Sequence, residues 1–120
     1  MGPDYDRIEL FVPEGDRRSK TTPVDLHDRW VIRIMRTCTK LFGGATAYGR
    51  GVGAWESGKR IHWDRITVIE VWMRRSGREV QQKLDVLHEA MMAMGRALHQ
   101  KAVACTIGPE LYVIDCEVER

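Results

Sequence analysis

At 120 residues the chain has the length of a single domain. Its 43% hydrophobic and 30% charged content excludes fibrous and disordered classes, and no apolar run approaches the ~20 residues that a membrane helix needs. The first residues (MGPDYDRIEL) contain no signal-peptide core, so a cytoplasmic protein is the expectation, and a net charge of +2 gives no global case for a polyanionic partner.

Arg7 to Pro13 alternate, with Ile8, Leu10 and Val12 on one side and Glu9 and Phe11 on the other, which predicts a strand stopped by Pro13. A polar, basic loop follows from Glu14 to Thr22. Thr22, Pro23 and Asp25 carry the signals of a helix start. Leu26, Trp30, Ile34, Cys38 and Leu41 then recur every three or four residues, as on a helix with one buried face, until Gly43 and Gly44 end it.

From Ala45 the chain reads ATAYGRGVGAW, too rich in glycine for a helix and suited to a bent or bulged strand. After a turn at Ser57–Lys59, Ile61 to Met73 predicts the longest strand. Ser76 and Glu79 have capping-box spacing before a second helix, in which Val80, Leu84, Leu87, Met91, Met94 and Leu98 recur at helical steps. A last hairpin turns at Gly108-Pro109. The order β, α, β, β, α, β predicts an α+β, ferredoxin-like fold with two helices on one face of an antiparallel sheet, and a possible extra strand.

The long strand is apolar on both faces. Ile66, Val68 and Trp72 share one, and Ile69, Val71 and Met73 share the other. Helices cover only one face of such a sheet, so the second apolar face predicts self-association, unless the final hairpin or the N-terminal loop folds over it.

Four constellations bear on chemistry. Glu70 sits between Val68 and Trp72, where desolvation would raise its pKa unless an arginine such as Arg50 or Arg65 pairs with it. The segment from Gly53 to Arg60 nearly matches a phosphate-binding loop, but Arg60 stands where the hydroxyl belongs and a strand follows instead of a helix. Its glycines could let backbone amides approach an anion or simply allow a bulge. Arg29, Arg33, Arg36 and Lys40 form a basic stripe along the first helix, with Arg17, Arg18 and Lys20 nearby. The stripe could meet nucleic-acid phosphates or be a solvated face. His62 and Asp64 share a strand face, but the other histidines lack ligand spacing, so no metal and no cofactor is expected. Cys38, Cys105 and Cys116 form no CxxC pair, and Cys38 and Cys105 read as buried small hydrophobes.

Leu41-Phe-Gly-Gly-Ala-Thr46, leading through Gly51-Val-Gly-Ala-Trp55 to an acid and an apolar strand, resembles the PII-like, ferredoxin-like superfamily. That resemblance implies a homotrimer with nucleotides or other small anions in clefts between subunits. Tyr48, Arg50, Gly51, Gly53, Trp55 and Arg60 would then line the cleft, with Glu70 or Asp64 beside them. The outline is also similar to the small phage S-adenosylmethionine lyases, through Leu41-Phe42-Gly43, Gly53-Ala-Trp55 and Asp64 or Glu70, with Trp55 where a tyrosine is expected. This second resemblance implies an enzyme with Glu70 or Asp64 as its polar catalytic group. Three functions are thus expected in order: an oligomeric binder of a small anion or nucleotide, a lyase, and a nucleic-acid-binding module.

Overall fold

A computed structural model describes residues 4–14 and 24–117, except the side chains of Val24, Asp25, Arg50, Trp55 and Ser57. The expected helix start at Thr22 and Pro23, the side chain of Asp25, and the basic residues Arg17, Arg18 and Lys20 therefore lie outside what is described. The elements are β1 (Tyr5–Pro13), α1 (Val24–Phe42), β2 (Thr46–Ser57), β3 (Arg60–Arg74), α2 (Val80–Ala97), β4 (Ala102–Ile107) and β5 (Glu110–Asp115). They form one antiparallel sheet in the order β2-β3-β1-β4-β5. This is the ferredoxin-like α+β fold, with β5 added at the edge beyond β4.

Alternation decides which side chains meet the helices. Ile8, Leu10 and Val12 of β1 and Ile69, Val71 and Met73 of β3 are buried with Ile34 and Cys38 of α1 and Leu87, Met91 and Met94 of α2. His27 is the one described polar residue buried with them. Its ring nitrogens lie 3.0 Å from Asp28 Oδ1 and 3.1 Å from Thr67 Oγ1, which ties the first turns of α1 to β3. Gly43, at φ +93°, ends α1 in a conformation that a Cβ would strain.

One local expectation changes, and one alternative to self-association falls away. The Ser76–Glu79 capping box does not form: α2 begins at Val80, with Glu79 at its N-cap and no side-chain capping hydrogen bond. The backbone amide of Arg75 still donates to Asp4 O at 3.0 Å. The chain is thus held beside the sheet as far as Arg75, and the residues that would have formed a first helical turn are used to leave it. The final hairpin also does not fold over the open sheet face. β5 instead pairs with β4 from Ala102↔Asp115 to Ile107↔Glu110 and widens the sheet.

Both expected core thiols are buried, and burial pushes the Cys38 thiol up to about 12. An unfolded chain releases that proton from about pH 9 while the folded chain keeps it, so stability falls as pH rises between 9 and about 12. Denaturant midpoints measured across this window should fall less steeply for Cys38→Ala than for the parent. Thiol reagents at pH 8 should label Cys38 and Cys105 only under unfolding conditions.

Candidate functional site

The open face of the sheet is the part of the molecule whose residues packing alone does not explain. At its centre Glu9 of β1 stands directly across from Glu70 of β3. Like charges at opposed positions disfavour the pairing of two strands. One guanidinium offsets the repulsion: Arg7 Nε lies 2.6 Å from Glu70 Oε2, and Arg7 Nη2 lies 3.2 Å from Glu9 Oε2. The same Nη2 donates to Tyr48 Oη at 2.8 Å, and Tyr48 Oη donates onward to Glu9 Oε2 at 3.3 Å. Thr106 Oγ1 of β4 donates to Glu9 Oε1 at 3.4 Å. Foremost the Tyr48 hydrogen bond, and then Glu9 and Glu70, raise the Arg7 pKa.

The cluster is accessible yet partly sheltered, with Glu70 and Glu9 side chains 22% and 28% exposed. Around it lie apolar groups on the same face: Val68, Phe11, and the well-exposed Trp72, Leu111 and Val113. Two carboxylates and one guanidinium leave one net negative charge in an apolar setting.

Tyr48 reaches the cluster through its pairing with Val68, and a glycine follows it. β2 pairs Tyr48 with Val68 and then Arg50 with Thr67, so Gly49 is an extra residue, in the left-handed region at φ +54°. Before this bulge Tyr48 points to the open face; after it the alternation of β2 reverses. The glycine-rich stretch is therefore a strand with a bulge. Past the bulge, β2 and β3 run on as a two-stranded ribbon beyond Pro13, the last β1 residue paired with β3. Val52, Ile61 and Trp63 are exposed on one side of this ribbon.

The residues expected at a site are thus divided. Glu70 and Tyr48 come together. Asp64 does not join them: it lies six residues along β3, about 20 Å away at strand rise, opposite Gly53 in the ribbon. Gly51 packs closely on Ile66, since a Cβ there would stand 2.9 Å from Ile66 Cγ1. Arg60 is exposed at the start of β3, beside the ribbon turn, and the side chains of Arg50 and Trp55 lie outside the described residues. Among the described side chains Glu70 pairs with Arg7 and not with Arg65. Arg29, Arg33, Arg36 and Lys40 are all exposed on α1 and take no part in the cluster. Sequence reasoning missed Arg7, Glu9 and Thr106. For Arg7 and Glu9 the available signal was polar residues at alternate positions of an otherwise apolar β1.

No protein-family model and no curated protein sequence matches the chain. Among solved structures the fold is similar to a phage S-adenosylmethionine lyase in complex with S-methyl-5'-thioadenosine. That likeness has a TM-score of 0.65 and 17% identity, over 100% of this chain and 96% of that one. A phage S-adenosylmethionine lyase in the apo state matches with a TM-score of 0.60 and 15% identity, over 99% of this chain and 94% of that one. The divalent ion tolerance protein CutA1 from Ehrlichia chaffeensis matches at 0.47 and 11% identity, over 100% of this chain and 88% of that one. At these identities the likeness is one of fold.

Proposed function

We propose that the open sheet face binds S-adenosylmethionine and cleaves it, in a site that a second copy of the chain completes. The observation that carries this reading is the Glu9–Glu70 pair bridged by Arg7, a net negative cluster within an apolar face. Such a setting attracts a ligand with a cationic and an apolar part, and disfavours a small anion. S-Adenosylmethionine has a sulfonium, an ammonium group and an adenosine. The end-to-end likeness to a lyase bound to S-methyl-5'-thioadenosine supports the same choice.

The chemistry suits the surroundings. When the bond between the sulfonium sulfur and the methionyl γ-carbon breaks, its electron pair stays on sulfur and gives the neutral thioether S-methyl-5'-thioadenosine. The methionyl carboxylate closes onto the γ-carbon to form a lactone, so atoms and charge balance without water. This step neutralises the sulfonium and the carboxylate together, and an environment poor in water favours it over the hydrated ground state. Glu70 and Glu9 hold the ammonium group, and thereby aim the carboxylate at the γ-carbon. Arg7 and Tyr48 hold the carboxylates.

A second copy is the occupant that best suits the exposed Trp72, Leu111 and Val113, which lie on the face that carries the cluster. Burial of each would contribute roughly 1.5–3 kcal/mol. A trimer is the assembly favoured by the resemblance of the sequence. Light scattering after size exclusion should give a multiple of 13.8 kDa, and Trp72→Glu should shift it toward 13.8 kDa. Incubation with S-adenosylmethionine followed by mass spectrometry should reveal S-methyl-5'-thioadenosine. No product, together with a melting temperature unmoved by either compound, would remove the reading. A raised melting temperature without product would leave a binding protein.

A further inference from the structure

The outer surface of α1 carries a second feature that the sheet-face site does not use. Arg29, Arg33, Arg36 and Lys40 are exposed at i, i+4, i+7 and i+11, so they form one row about 16 Å long. Asp28, the one acid of α1 whose side chain is described, faces His27 Nδ1. Beside the row runs an open groove of about 460 Å³ lined by Leu26, Arg29, Trp30, Ile32, Arg33 and Arg36. A second groove of about 550 Å³ continues it past Ile32 and Arg36 to Lys40. The guanidinium of Arg33 lies over the Trp30 ring, 4.9 Å from its centroid. Helical spacing of three residues brings Trp30 to the margin of the row.

We propose that this face binds single-stranded nucleic acid, with the phosphates on the cationic row and a base stacked at the Trp30–Arg33 platform. Three of the four cations are arginines, whose planar forks match phosphate oxygens with two hydrogen bonds. Regular spacing along one line suits a polymer of evenly spaced charges. The stacked platform selects a strand with exposed base faces, which a duplex does not offer. A salt-dependent, sequence-tolerant affinity follows from this arrangement.

The test uses the full chain and a labelled oligothymidylate, followed by fluorescence anisotropy at 50 to 200 mM salt. Four phosphate contacts predict a slope of log K against log salt of about −3, hence roughly 50-fold weaker binding across that range. The triple variant Arg29→Gln, Arg33→Gln, Arg36→Gln should reduce the slope to about −1 and weaken binding at least ~10-fold at low salt. An abasic chain of equal length should bind several-fold more weakly than oligothymidylate. Circular dichroism of the variant confirms that α1 is retained, and S-adenosylmethionine turnover should be unchanged, so this face and the sheet-face site fail or stand separately. Absence of binding at 50 mM salt, or a slope that the triple variant leaves unchanged, would overturn the proposal. So would equal binding of the abasic chain, or full competition by polyglutamate of equal charge.

Discussion

Replacing Glu70 by glutamine should lower turnover of S-adenosylmethionine at least ~100-fold and leave the fold intact, because misplacing a substrate by about 1 Å costs that much. The substitution keeps the shape of the side chain and removes the charge that holds the ammonium group. Its effect on stability should be small. The Arg7–Glu70 pair is partly exposed, and such pairs contribute about 0–1 kcal/mol, while neutralising Glu70 also relieves its repulsion with Glu9 across the strands. The measurement is product formation by the parent and by Glu70→Gln, with thermal melting as the control. Loss of turnover at an unchanged melting temperature is the expected pair of results. Undiminished turnover would remove Glu70 from the site. Arg7→Ala serves as the contrast, because it leaves two carboxylates opposed with no cation between them. It should reduce both turnover and stability, which Glu70→Gln should not.

The largest stability effect is expected at Leu10. β1 is the central strand of the five, and Leu10 lies across from Ile69 on one side and Cys105 on the other. It is 0% exposed and packed in the core beneath both helices. Leu10→Ala removes three buried carbons at a point where strands on both sides resist collapse into the space. The cost should be about 2–5 kcal/mol, a large share of the total stability of a domain of this size. Denaturant unfolding should show a lower midpoint with an unchanged slope, since the surface exposed on unfolding is nearly the same. Leu111→Ala, at a position 64% exposed on the open face, is the comparison and should cost little in the isolated chain.

These outcomes separate two kinds of information in the chain. The order of elements was legible because it is local. Ile8, Leu10 and Val12 alternate, Leu87, Met91, Met94 and Leu98 keep helical spacing, and Gly43 stops a helix, each through contacts among near neighbours. The capping box did not form although its spacing is local, and the residue before it, Arg75, is held by Asp4, some seventy residues earlier.

The candidate site was half legible. Glu70 stood out as a carboxylate in an apolar strand, and the glycine-rich run announced a bend. Which side chains meet Glu70 was set by register. Arg7 and Glu9 come from β1, Tyr48 from β2 through its pairing with β3, and Thr106 from β4, with hydrogen bonds that span 39 to 97 residues. Slipping any strand by one residue would turn its contribution to the other face. So the sequence by itself determined the elements and the apolar second face, because periodicity is a property of neighbours. Only the tertiary structure decided that two carboxylates would face each other across a strand pair and share one arginine, because strand pairing brings together residues that no local pattern connects.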